Sequence, residues 1–451
     1  MEKMPVCAGY GRSSITPAFS VPLAGYGATQ KRMSQRVLSE IFATCIAFSW
    51  GDEKLLLYTQ DLINSNSNWV KAVRQRVTEK TGVPEDRILI CSIHSHSVPD
   101  TDSELDCMVQ YQELYLDAME AAAVKALEDL APIQMYGAEV RTEGMNYVRH
   151  YLLENGTYAG PNFGDFSAAP VVGHAAENDP SMRIVKLARQ DKAAILLVNF
   201  QVHPTATGGM QKTDLSSDFV GAVRDHVEAS TGMYFAYFTG AAGNQVMTSQ
   251  IPEEMDGLTK EQSYAFGKNH YLIYGWRLAQ YVMKALPDLQ EMACDCIAVT
   301  REYFEQPVNH DDEHLYDVAA EVRRLWDETD RDTANTFARQ QGISSVYHAG
   351  AIMKRRSRPQ TQVIELNAVR IGDLGLVTVP YEMFAANGTF VKAHSPFPMT
   401  LVCSLANEHW FYVPTREAFE YGCYESCISY FAKGTGETTA EKLVGMLKPL
   451  A

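Results

Sequence analysis

A chain of 451 residues, 46% apolar and 21% charged, is long enough to bury a full core without disulfide or metal staples. Its 39 basic against 55 acidic residues leave a net charge of −16, which argues against nucleic acid as a partner. Phosphate binding needs concentrated positive charge, and the short run Lys354-Arg355-Arg356-Ser357-Arg358 reads as a solvated surface segment.

No apolar stretch approaches the roughly 20 residues of a membrane helix, and the N-terminus lacks the apolar core of a signal peptide. No transmembrane segment is expected, and the expected location is cytoplasmic. Taken in chain order, residues 41–48 and 54–59 are apolar or β-branched runs around Trp50-Gly51-Asp52, the pattern of a hairpin. The spacing of Trp69, Val70, Val73 and Val77 predicts a helix over 68–81, stopped by Gly82. A strand over 87–93 then runs into His94-Ser95-His96. Alternate residues of a strand share a face, so both imidazoles are expected to point from one strand tip into one pocket. Two neutral histidines there suggest a metal site, although such a pair also occurs without function.

A helix is expected over 113–129, ended before Pro132, and residues 144–179, rich in Gly, Asn, Tyr and Pro, read as one long functional loop. The buried strand 193–200 runs out at Gln201-Val202-His203, so His203 sits past a strand end as His94 does. Helix 218–230 and strand 234–239 follow. Residues 311–341 form a charged helical stretch whose apolar stripe is Leu315, Val318, Val322 and Leu325. A hairpin at Arg370-Ile371-Gly372-Asp373 joins strands 363–371 and 376–379, and a last strand covers 399–405. The sequence shows no internal repeat and no low-complexity linker. Its nine cysteines, an odd number, fit reduced packing residues better than a disulfide framework or a zinc–thiolate site.

At this point the chain resembles the neutral/alkaline non-lysosomal ceramidases. The resemblance is carried by Ser14-Ile-Thr-Pro17, Pro22-Leu-Ala-Gly-Tyr-Gly27, Gln60-Asp61-Leu62, His94-Ser-His96-Ser97 and Asn146-Tyr-Val-Arg149. It continues, in the family's order, through Asp179-Pro180, Val202-His203, Gly243-Asn244, Val379-Pro-Tyr-Glu382, Tyr412-Val-Pro-Thr415 and Gly422-Cys-Tyr-Glu425. The expected fold is an α/β catalytic domain of mixed β-sheets flanked by helices, one domain over 1–451. The C-terminal β-sandwich that such proteins often carry is not expected in this chain.

The resemblance implies a Zn2+ ion held by His94, His203, Glu382 and Tyr412. On their own chemistry, Glu382 reads as a helix-start carboxylate and Tyr412 as a packed aromatic. Histidine nitrogens and a carboxylate suit an open zinc site, which lowers the pKa of water to about 7 and polarises a carbonyl. His96 is expected to handle protons or to support the metal from behind. Arg149 is expected to bind a substrate oxygen or to form a loop salt bridge. Asp61 and Asp218 are expected to orient the histidine ligands or to cap helices.

The family places a serine held to be catalytic in a turn that here reads Thr239-Gly-Ala-Ala-Gly-Asn-Gln-Val-Met247, without serine. Attack by metal-activated water is then the expected mechanism, with Asn244 and the turn's amides lining an oxyanion site. The expected activity is hydrolysis of a small-molecule amide or N-acyl bond. Ester hydrolysis on the same fold and a non-catalytic binding protein stay open, and nothing in the sequence excludes a homo-oligomer.

Overall fold

The apolar runs become strands buried on both faces, and the order of the strands explains why. The structure, a computed structural model, describes residues 4–26, 32–209, 212–255 and 270–451. Gly27, the last residue of the Pro22–Gly27 motif, lies outside the described residues. With the shorter strands and the inserted helices left aside, the same succession occurs three times along the chain: three strands, a helix, a fourth strand and a second helix. The first unit is β1 (Cys7–Ser14), β2 (Phe42–Trp50), β3 (Glu53–Gln60), α1 (Ser67–Thr81), β4 (Ile88–Ser92) and α2 (Cys107–Glu128). The second is β5 (Ala131–Arg141), β6 (Ser181–Arg189), β7 (Lys192–Phe200), α3 (Asp218–Thr231), β8 (Tyr234–Thr239) and α4 (His270–Ala285). The third is β9 (Ile297–Pro307), β10 (Thr361–Ile371), β11 (Leu374–Thr378), α5 (Ala385–His394), β12 (Met399–Cys403) and α6 (Thr435–Leu447).

Within each unit the first three strands pair antiparallel and the fourth lies parallel to the third. A parallel partner requires a crossover, which α1, α3 and α5 supply. The first two units join where β1 pairs with β5, and a short strand, Gln290–Met292, adds to β5 to complete a nine-stranded sheet.

One face of every unit enters a shared core. Phe48, Leu57 and Leu89 from the first unit meet Leu187, Leu197 and Phe238 from the second and Val369, Leu376 and Leu401 from the third. The other faces pack beneath α1 and α2, α3 and α4, and α5 and α6 respectively. With both faces covered, the central strands read as continuous apolar runs. Burying each such side chain contributes roughly 1.5–3 kcal/mol.

The three crossover helices also tie the units into a ring. Arg74 on α1 reaches Glu365 of the third unit at 2.7 Å, and Arg224 on α3 reaches Asp61 of the first at 2.8 Å. Lys392 on α5 reaches Asp179, which leads into β6 of the second unit. The side chains of all six are at most 8% exposed. Each unit therefore sends one cation into a neighbour, and the circuit closes.

Most predicted elements are present with shifts of one or two residues at their ends; helix α2 starts at Cys107, ahead of the predicted 113. Asn66 caps α1 by accepting from the amides of Asn68 and Trp69, and Gly82 ends it in a left-handed conformation at φ +73°. Two expectations need correction and one needs refinement. The chain does contain an internal repeat, seen in topology although not in residues. The stretch 144–179 holds short strands, Tyr151–Leu153, Tyr158–Ala159 and Val171–His174 forming a small sheet of their own. The stretch 311–341 is two helices, Tyr316–Glu328 and Arg331–Gln340, parted where Asp330 caps the second. All nine cysteines are free thiols.

Candidate metal centre

The third and fourth strands of every unit run parallel, and the segments leaving their ends meet at one end of the shared core. Hydrogen bonds between units close this end. Thr239 donates its hydroxyl to the Ile93 carbonyl (2.8 Å), Ser404 its amide to Thr239 (3.0 Å), and Asn407 its amide to Ile90 (2.8 Å). Ligand sites in open α/β sheets gather at strand ends, and the same logic holds here.

His94 leaves β4, His203 leaves β7 and Glu382 leaves β11, and their side chains converge. The Nε2 atoms of His94 and His203 each lie 3.0 Å from Glu382 Oε2, and His96 Nε2 lies 3.3 Å from His94 Nε2. Ligands about 2.0–2.1 Å from a tetrahedral zinc stand roughly 3.3 Å apart, so this spacing fits such an ion. His94, His96 and His203 present nitrogens within 4.8 Å of one another, the spacing of a metal-binding group.

Protonation is fixed by the far side of each ring. His94 Nδ1 faces the Ile63 carbonyl (2.7 Å), His203 Nδ1 the Ala242 carbonyl (2.8 Å) and His96 Nδ1 the Gly25 carbonyl (3.1 Å). A carbonyl only accepts, so each Nδ1 carries the proton and each Nε2 offers a lone pair toward the centre. Two lone pairs facing one carboxylate oxygen at 3.0 Å repel one another unless a cation, or an added proton, lies among them. The donor set therefore fits a zinc ion.

Electrostatics agree. Burial, followed by the charge of Arg149, pushes His203 down to about 4. Burial and the neighbouring rings of His94 and His203 hold His96 well below the usual histidine range. Burial works against the Glu382 carboxylate, yet the charge that His94 carries and the hydrogen bond that His203 donates when an added proton sits on Nε2, together with the His409 hydrogen bond, hold its pKa well below the ordinary value. Neutral imidazoles beside an anionic carboxylate are the form in which these groups bind a cation.

Two glycines make the approach possible. A Cβ on Gly243 would stand 2.4 Å from the Glu382 carbonyl oxygen, and one on Gly25, at φ +105°, 2.5 Å from His96 Nδ1. His94 itself has φ +73°, and Leu405, Asn407 and Phe411 are also left-handed. Backbone strain of this kind gathers at functional sites. Strand alternation is therefore not what brings the two histidines together: β4 ends at Ser92, and the left-handed turn at His94 aims its ring.

Tyr412 pairs in parallel register with Glu382. Its ring stacks on His203 with centroids 6.4 Å apart, and the Arg149 guanidinium lies 5.4 Å from its centroid. Burial and the adjacent Glu382 raise the Tyr412 hydroxyl well above the usual tyrosine value, while Arg149 opposes them. Arg149 in turn is anchored by Glu425 through Nε (2.5 Å) and by the Gly243 carbonyl (3.0 Å). It thus forms the loop salt bridge and also borders the centre. His96, Arg149 and His409 keep partial exposure while His94, His203 and Glu382 are buried, so the centre opens to one side.

The expectation for Asp61 and Asp218 changes. Asp61 accepts from Arg224 and the Phe42 amide, and Asp218 from Thr207 and the Phe219 amide; backbone carbonyls, not these carboxylates, hold the Nδ1 atoms of His94 and His203. Asn244 Oδ1 accepts from the Ala385 amide, bracing the start of α5. Three of the turn's amides are engaged: Gly240 donates to Phe200, Gly243 to Met383 and Gln245 to Ala242.

Sequence reasoning missed His409, whose Nε2 lies 3.5 Å from Glu382 Oε1. It also missed a second buried group, His150, Cys423 and Glu425. There His150 Nε2 meets Glu425 Oε2 at 2.7 Å and Nδ1 meets the Tyr421 hydroxyl at 2.9 Å, while Arg149 neutralises the carboxylate. Burial pushes the Cys423 thiol up, keeping it protonated. This second group is satisfied by its own hydrogen bonds.

The fold matches solved ceramidases. Neutral ceramidase from Pseudomonas aeruginosa superposes with a TM-score of 0.72 at 16% identity, covering 100% of this chain and 75% of that one. A structure described as ceramidase complexed with C2 superposes with a TM-score of 0.69, also at 16% identity, over 99% and 75%. No protein-family model and no curated protein sequence matches the chain. The likeness establishes a mixed α/β, ceramidase-like fold.

Proposed function

We propose that this chain is a zinc-dependent hydrolase that cleaves an amide (N-acyl) bond with water as the nucleophile. The observation that carries the reading is the convergence of His94 Nε2, His203 Nε2 and a Glu382 oxygen at 3.0 Å on a ceramidase-like fold. His94, His203 and Glu382 would hold the metal, with Tyr412 beside them. When bound, zinc supplies Lewis acidity toward a carbonyl and makes water a nucleophile near neutral pH.

The chain's residues do the rest. Ile63 and Ala242 fix the tautomers of His94 and His203, and the glycine at 243 lets Glu382 approach. His96, partly open to solvent, is assigned the proton that leaves the attacking water and passes to the departing nitrogen. Arg149, held by Glu425, lies against the Tyr412 ring and borders the space for the acyl oxygen. The turn 240–247 contains no serine, so the nucleophile is assigned to water and not to a side chain. Among the described residues no helix is long and apolar enough to cross a membrane.

The test is turnover of N-acyl amides, from short-chain amides to ceramide, by the zinc-loaded protein, alongside matched esters. Amide cleavage abolished by His94→Ala and His203→Ala supports the reading. Turnover of esters alone, or of neither class, overturns it.

A further inference from the structure

Four histidines surround Glu382, and their far nitrogens divide them into two kinds. His94, His96 and His203 each set Nδ1 against a backbone carbonyl, so their Nε2 atoms are lone pairs. His409 is the opposite case. Its Nδ1 lies 3.1 Å from the side-chain nitrogen of Asn64, which only donates. The oxygen of the same amide accepts from the Thr101 hydroxyl at 3.4 Å, which sets the amide's orientation. His409 Nδ1 must then accept, its proton sits on Nε2, and that N–H points at Glu382 Oε1, 3.5 Å away.

The two carboxylate oxygens thereby receive different partners: Oε2 faces the lone pairs of His94 and His203, and Oε1 faces a donor. The ring of Phe411 lies 4.9 Å from that of His409 and limits its swing. Asn64 follows β3 by nearly the same number of residues as His203 follows β7 and Glu382 follows β11. The first unit thus contributes at this position an amide in place of a metal-binding side chain.

We infer that His409, oriented by Asn64, is a positioning residue that donates from Nε2 to Glu382 Oε1 and so turns Oε2 toward the metal. The inference rests on reading the centre as a zinc site. Partners of metal-bound carboxylates typically matter 10–100-fold in affinity.

Two measurements test it. Zinc affinity by chelator competition is expected to fall about 10–100-fold in His409→Ala. It should fall less in His409→Gln, which keeps an N–H donor, and several-fold in Asn64→Ala, which frees the ring. Nitrogen-15 NMR of histidine-labelled protein, with and without zinc, is expected to place the His409 proton on Nε2 and those of His94, His96 and His203 on Nδ1. A His409 proton on Nδ1, or wild-type zinc affinity in His409→Ala, overturns the inference. Wild-type protein that binds no zinc overturns the proposed function instead, while the tautomer still decides the role of His409.

Discussion

Glu425 shows how much of the site depends on a residue remote from the metal. Burial opposes its charge, but Arg149 and then His150 bring its pKa down to about 2 from the ordinary 4.5. A depressed carboxylate contributes stability that is present above about pH 4.5 and is lost as the pH falls through the folded value. That contribution is on the order of 3 kcal/mol. In metal-free protein, denaturant unfolding is expected to show Glu425→Gln destabilised by roughly this amount at pH 6, with the gap narrowing toward pH 3. A gap independent of pH would contradict the assignment. At this scale the sequence was partly legible: His94, His96 and His203 stand out as histidines at strand ends, and resemblance added Glu382 and Tyr412. The carbonyls of Ile63, Ala242 and Gly25 have no sequence signature, since any residue supplies one. His409 was hidden in a segment whose left-handed turns at Leu405 and Phe411 fall on residues that do not favour them.

The elements were more legible than the partners between them. Periodicity located helices such as 68–81, and apolar runs located the strands, because both faces of each sheet are covered. What periodicity could not show is which element a buried charge serves. Asp61 looked like support for a histidine and instead receives Arg224 from the crossover helix of the next unit. Arg224→Met is expected to cost about 3–5 kcal/mol, since it leaves a buried carboxylate without its cation. Adding Asp61→Asn, which keeps an acceptor for the Phe42 amide, should recover most of the loss. Equilibrium unfolding measures both, and zinc affinity should change by less than about twofold in the double variant. A large loss of zinc affinity there would restore Asp61 to the metal's support.

The whole molecule is three copies of one topology around a shared core, with the centre where their parallel strands end. The repeat escaped the sequence because the long insertion in each unit falls between its first two strands and differs in length, covering residues 15–41, 142–180 and 308–360. No fixed period survives such insertions. Those from the first two units reach the centre, through Gly25 and through Arg149. The third approaches it from outside, where Tyr347 meets Tyr424 edge to face and Lys354 stands over the ring of Phe411. That this convergence holds one zinc ion can be read from diffraction at the zinc absorption edge with crystals of metal-loaded protein. The expected result is a single anomalous peak about 2.0–2.2 Å from Nε2 of His94, Nε2 of His203 and an oxygen of Glu382. A peak beside His150, Cys423 and Glu425, or none at all, would contradict it.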